Sequence, residues 1–184
     1  MSSEKIILNR QELAEIVNKI ADQILEEFYN NGNRFADVVF VGIQRRGVPF
    51  VTKLRQAILD KVNIELPLAK LDITMYRDDI HSHKNGLPVI NETKIPFDVN
   101  DKIVILADDV LHSGRTIRAA LDAITDYGRP KVIRLATVIN RGGREFPICA
   151  DYVGLVHQAD PQNHIKVKWD SIDSKEEVIE VVFD

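Results

Sequence analysis

The run VILADDVLHSGRTIRAA, from Val104 to Ala120, decides the fold of this 184-residue chain. It opens on four apolar residues, Val104 to Ala107, of the kind found in a strand buried on both faces, and this strand ends in two adjacent acids, Asp108 and Asp109. His112, Ser113, Gly114, Arg115 and Thr116 then make a turn, after which Ile117, Leu121 and Ile124 recur at helical spacing as far as about Tyr127, where Gly128 and Pro130 stop the pattern. A buried strand that delivers acids to its carboxyl end and turns into a helix is the edge at which open α/β sheets place their ligands.

The neighbouring segments repeat the alternation. DVVFVGI (37–43) reads as a buried strand, QRRGVPF as a tight loop, and Val51, Leu54, Ile58 and Leu59 as the inner face of a helix. VIRLATVIN (132–140) is a further buried strand, with YVGLV (152–156), HIKVKW (164–169) and VIEVVF (178–183) as shorter ones. Leu66, Leu68, Leu71 and Ile73 mark an extended segment, and Pro67 puts it at a sheet edge. Leu13, Ile16, Val17, Ile20, Ile24, Leu25 and Phe28 share one face of a helix over 10–29, which Asn9 and Glu12 cap as a box and Gly32 ends. Strands alternating with helices predict an α/β fold of three layers, with a mostly parallel central sheet covered on both faces. From Met75 to Asn100 the chain is polar and broken by Gly86, Pro88 and Pro96, which predicts a functional loop or small hairpin. No repeat or linker divides residues 1–184.

Composition narrows the partners. The chain is 45% hydrophobic and 28% charged, with 24 Lys and Arg against 28 Asp and Glu, so its net charge of −4 exerts no global pull on nucleic acid. One cysteine, Cys149, fits a reducing compartment. No apolar run reaches the ~20 residues of a membrane span, and no signal-peptide core opens the sequence. The expectation is a cytoplasmic protein with no membrane partner.

The turn after Asp109 has the makings of an anion cradle. Gly114 permits close backbone approach, Ser113 and Thr116 carry hydroxyl donors, and the following helix offers free N–H groups. The two carboxylates suit vicinal hydroxyls or a hydrated Mg²⁺. Acids beside a phosphate cradle suit a sugar phosphate. Neither GxxxxGK[ST] nor GxGxxG occurs, which removes the usual nucleotide and dinucleotide loops.

This segment resembles the phosphoribosyl-pyrophosphate (PRPP) signature of type I phosphoribosyltransferases. Together VGIQRRG (41–47), DITMYRDDI (72–80), DDVLHSGRTIRAALDA (108–123) and NRGGREFPICADYVG (140–154) are similar to one subgroup, the PyrR family of pyrimidine-operon attenuators and uracil phosphoribosyltransferases. The resemblance implies a type I core with a flexible loop and a small hood built mainly from 140–184, and a reaction in which uracil displaces pyrophosphate from PRPP to give UMP, with Mg²⁺ assisting through PRPP. It implies that Asp108 and Asp109 grip the ribose hydroxyls, with Asp109 catalytic, and that Val110, Leu111, His112, Ser113, Gly114, Arg115 and Thr116 surround the 5′-phosphate. Pyrophosphate falls to Gln44, Arg45, Arg46 and Gly47, loop contacts to Tyr76 and Arg77 with Asp78 and Asp79 beside them, and the base to Arg141 and Ile165. A homodimer or larger oligomer is implied as well.

Four positions depart from the family pattern. His112 stands where Tyr or Phe is usual; purine-specific relatives have there an Asp that handles the proton of the base, so His112 is a second catalytic candidate and a purine phosphoribosyltransferase the alternative enzyme. Asp22, Gly143 and Cys149 replace residues associated with RNA binding in relatives, two of them by loss of a cation. A non-enzymatic, UMP-responsive RNA attenuator is the remaining alternative, and Arg10, Lys19, Arg141 and Arg144 are the groups that would have to rebuild its basic patch.

Overall fold

The computed structural model describes residues 2–30, 35–78 and 90–183. Five parallel strands form the central sheet: β2 (Val38–Ile43), β3 (Leu68–Leu71), β4 (Ile103–Leu111), β5 (Val132–Asn140) and β6 (Tyr152–Val156), in the order β3-β2-β4-β5-β6. Period-two alternation splits each strand between two cores. Val38, Phe40, Ile103, Ile105 and Ala107 face α1 (Arg10–Leu25) and α2 (Gly47–Val62), while Val39, Val41, Val104 and Leu106 face α3 (Arg115–Thr125). Three layers result, as the strand–helix alternation predicts.

A second, antiparallel sheet of order β1-β8-β7 is built from β1 (Ser2–Leu8), β7 (His164–Lys168) and β8 (Glu177–Phe183), with the short helix α4 (Asp170–Asp173) between the last two. It packs through Val167, Trp169 and Val178 onto the α1–α2 side, where Trp169 stacks on Phe50 with centroids 6.2 Å apart. Its composition corrects the sequence reading twice. Tyr152–Val156 belongs to the central sheet, and the N-terminus supplies a strand that no pattern announced, because all but its last two residues are exposed and carry no alternation.

Boundaries shift for local reasons. Asn9 accepts from the Glu12 amide and Glu12 returns the bond, completing the capping box, but the α-helix gives way after Leu25 to a π-helical turn over Glu26–Asn30. Gly32, its expected stop, lies outside the described residues. Pro67 sits just before β3, which is indeed an edge strand; its outer side is met by a bridge between Lys70 and Lys94. Pairing with β5 carries β4 through Asp108↔Thr137 to Leu111↔Asn140, so both acids lie within the strand rather than beyond it.

The chain leaves β2 toward β3 on one side and returns through β4 on the other. The strand order therefore reverses between β2 and β4, and a crevice opens at their carboxyl ends.

Candidate active site

Two loops flank that crevice. The first, 44–46, joins β2 to α2; the peptide between Gln44 and Arg45 is cis. Gly47 begins α2 hard against β4: a Cβ on it would run into the carbonyl oxygen of Ala107 and stand 3.3 Å from Asp108 Cα. Only a residue without a side chain lets the α2 start come this close to the acidic pair. The second loop, 112–114, turns β4 into α3 through Gly114 at φ 92°, and Ser113 Oγ accepts from the Arg115 amide at 3.3 Å.

Between them lies a cavity of about 510 Å³ lined by Arg45, Arg46, Thr74, Arg77, Asn91, Asp108, Asp109, Val110 and Thr116. It continues into a smaller one of about 270 Å³ formed by Arg77 and residues 110–117. A roomier groove of about 960 Å³ runs along α1 among Glu15, Lys19, Asp22, Glu26 and Glu27, where Asp22 pairs with Lys61 and Glu27 with Arg134.

Asp108 and Asp109 are held at the cavity floor by the strand itself. Burial, and then the neighbouring carboxylate, push Asp108 well above the usual carboxylate range. Burial pushes Asp109 up to about 6, against the pull of Arg46. An acid pair this short of compensating charge is poised for hydroxyl donors and a nearby cation.

The arginines divide. Arg46 turns away from the cavity centre to the second sheet: its guanidinium forks onto Asp173 at 2.6 and 2.8 Å and also donates to the Val167 carbonyl. Arg45 makes no hydrogen bond or ion pair among the described residues and lines the crevice. Arg77 reaches Thr116 Oγ1 at 3.4 Å. Arg115, expected at the phosphate, directs its side chain to Glu145 (2.6 and 2.9 Å) and Asp78 (2.6 Å) instead. Tyr76 hydrogen-bonds Asp126 rather than facing the acids. Asp79 and most of the expected loop lie outside the described residues.

A third segment, 141–146, arches over residues 111–113. Arg141 N donates to the Leu111 carbonyl at 3.0 Å, and Glu145 N and Phe146 N donate to that of Ser113 at 3.0 and 2.9 Å. His112 stands beside Gly143 of this arch and is exposed. Arg141 is buried, reaches the Asp160 carbonyl at 3.3 Å, and keeps its Nε without a partner. Ile165 sits in the larger core cluster beside Val167 and Trp169.

The family model for a phosphoribosyl transferase domain matches residues 3–172. A "Bifunctional protein PyrR" of Pelotomaculum thermopropionicum is 44% identical over 180 residues, covering 97% of each chain. One from Roseiflexus is 48% identical over 151 residues, covering 82% of this chain and 80% of that one. This chain belongs to the PyrR family of phosphoribosyltransferases. The fold of this PyrR-family member is shared with the solved hypoxanthine phosphoribosyltransferase of Trypanosoma cruzi (TM-score 0.70, 16% identity, 96% and 95% of the two chains). A hypoxanthine-guanine phosphoribosyltransferase of Bacillus anthracis is similar to the same degree (TM-score 0.69, 16% identity, 97% and 98%).

Sequence reasoning missed two supports of this PyrR-family site. Asp72 is buried, and although burial opposes its charge, hydrogen bonds from the Thr74 amide (2.6 Å) and from Asn91 N and Nδ2 (2.6 and 2.9 Å) hold it below the usual range and pin Asn91 at the cavity wall. Its place just before Tyr76 and Arg77 was visible, its partners were not. Asp173, the anchor of Arg46, lies in a segment without any motif.

Proposed function

We propose that this protein transfers the phosphoribosyl group of PRPP to uracil, releasing UMP and pyrophosphate. The observation that carries the reading is the pair of a buried Asp108 and a half-buried Asp109 beside an anion cradle at the β2/β4 crevice, in a chain of the PyrR family. The carboxylates accept hydrogen bonds from the ribose 2′- and 3′-hydroxyls. The amide groups at the start of α3, with the hydroxyls of Ser113 and Thr116, hold the 5′-phosphate. Arg45 and Arg77 face the pyrophosphate. As the C1–oxygen bond to pyrophosphate opens and the C1–nitrogen bond to the base forms, positive charge develops on the ribose, as in glycoside hydrolysis. The nearby acidic pair is placed to stabilise it without forming a covalent bond. His112 and Arg141 form the wall for the base.

Mg²⁺ fits this donor set in one way only. The acidic pair lacks compensating charge, yet no cluster of three metal-ligating residues occurs among the described residues. Asp108 or Asp109 would hold an ion that keeps most of its water and its phosphate ligands. When bound there, such an ion would supply charge neutralisation for the pyrophosphate. The likeness to hypoxanthine enzymes, at 16% identity, speaks for the fold and not for a purine substrate. Incubating labelled uracil with PRPP and Mg²⁺ should give UMP, and EDTA should suppress it; no UMP from folded protein would contradict the assignment.

A further inference from the structure

Glu180 is a carboxylate buried on an apolar face. It stands on β8 directly opposite Ile165 of β7, so the two side chains share the side of the second sheet on which Val167 and Val178 enter the larger core. A carboxylate in such a place needs hydrogen-bonding partners. Buried Asn163 donates through Nδ2 to one oxygen at 2.7 Å, and His157 Nε2 faces the other at 3.1 Å.

Those two partners are the two ends of one segment. Residues 157–163 carry the chain from β6 of the central sheet to β7 of the second. The His157 amide also donates to the Asn140 carbonyl at 2.9 Å, and Asn163 Oδ1 accepts from the Phe183 amide at 3.3 Å. Glu180 thereby closes 157–163 into a loop with both feet on a single side chain.

The middle of this loop meets the 141–146 arch. The Asp160 carbonyl accepts from the Asn163 amide at 2.9 Å and from Arg141 Nη2 at 3.3 Å, while Gln158 Oε1 occupies the space that a Cβ on Gly142 would need. Arg141 is buried and forms no ion pair among the described residues, and this carbonyl is its side chain's single hydrogen-bond partner there. Where the guanidinium points follows from where Asp160 stands, and Asp160 stands where Asn163 and Glu180 hold it. The acidic pair and the 44–46 loop make no hydrogen bond to 157–163 among the described residues, so a fault in this loop reaches Arg141 before it reaches the PRPP groups.

Building on the reading above, in which Arg141 forms part of the wall for the base, we propose that Glu180, with Asn163 and His157, is a positioning residue for base binding: it fixes loop 157–163 so that the Asp160 carbonyl aims Arg141 at the pyrimidine. None of the three touches substrate.

The test is steady-state kinetics of the wild-type protein, E180A, E180Q and N163A, with uracil and PRPP varied in turn, alongside calorimetric titration with UMP. E180A and N163A should raise KM for uracil at least fivefold while kcat and KM for PRPP stay within twofold. Glutamine keeps an oxygen for Asn163 and offers an amide N–H to neutral His157, so E180Q should remain within twofold of the wild-type protein. E180A should weaken UMP binding by a similar factor, and in an R141A background it should weaken it no further. A fall in kcat with both KM values unchanged is the mark of a cluster that only supports the fold, and it would overturn the proposal. So would an E180Q as impaired as E180A, or a loss of UMP affinity that persists without Arg141. If E180A does not fold, N163A decides by the same split between the two KM values. Wild-type protein that converts a purine and no uracil would refute the base assignment instead, and KM for that purine would then read the cluster.

Discussion

Two carboxylates side by side on a buried strand weaken the fold whenever both are charged, and the raised positions of Asp108 and Asp109 measure that conflict. Between the ordinary carboxylate value of 3.8 and about 6, folded Asp109 holds more protons than the unfolded chain, so stability falls as pH rises through that window. Asp109→Asn should therefore raise Tm at pH 7–8 and raise it less at pH 5, while kcat/KM falls more than tenfold, at least ~1.4 kcal/mol of transition-state stabilisation. Calorimetry and steady-state kinetics on the same preparation check both halves; unchanged kinetics would make the pair a structural feature only. The acids and the cradle after them could be read from one unbroken run of sequence. The fates of the arginines could not: Arg46 finds Asp173 and Arg115 finds Glu145 only once the chain has folded, and nothing in an RR pair tells which guanidinium stays in the crevice.

At the scale of elements, the site depends on how closely α2 abuts β4 and on how its first turn is tied to the second sheet. Gly47→Ala sets a methyl group against the β4 main chain, which cannot yield as a side chain does. We expect roughly 1–3 kcal/mol of lost stability, seen as several degrees in Tm, and at least a tenfold loss of kcat/KM because the displaced α2 start draws the preceding loop, with Arg45, away from the acids. The Arg46–Asp173 fork acts differently. Its hydrogen bonds hold the Asp173 carboxylate below 3.8, so its contribution is present above that pH and disappears as pH falls through the lowered folded value. Asp173→Asn should cost about 1 kcal/mol at neutral pH, for a pair that is partly exposed. The cost should vanish in acid, and denaturant titrations at both pH values check it. Buried strands and amphipathic helices were legible because each carries its own period. Strand β1 was not, since its pairing with β8 spans the whole chain and its side chains are mostly exposed.

For the molecule as a whole, charge and topology bear on what it binds. Relatives carry the name "Bifunctional protein PyrR", and the sequence resemblance implies a second role, control through pyrimidine-leader RNA. The four basic groups that would rebuild an RNA patch here are scattered or engaged. Arg10 pairs with Asp170 and Glu176, and Lys19 donates to the Gly154 carbonyl. Arg141 is buried, and Arg144 leans on Cys149 Sγ at 2.6 Å. With a net charge of −4 and so few phosphate contacts, the protein should bind a leader hairpin no better than an unrelated one at physiological salt, with a shallow salt dependence. Filter binding at two salt concentrations, with and without UMP, checks this, and a UMP-enhanced preference for the leader would contradict it. A homodimer or larger oligomer is expected from the family, and light scattering from a monomer would contradict that. The central claim, that the crevice between β2 and β4 joins a pyrimidine to PRPP, is tested most directly by offering labelled uracil, hypoxanthine, guanine, adenine and orotate separately with PRPP and Mg²⁺. The account predicts that uracil is converted to its nucleotide with the highest kcat/KM; turnover of a purine with none of uracil would contradict it.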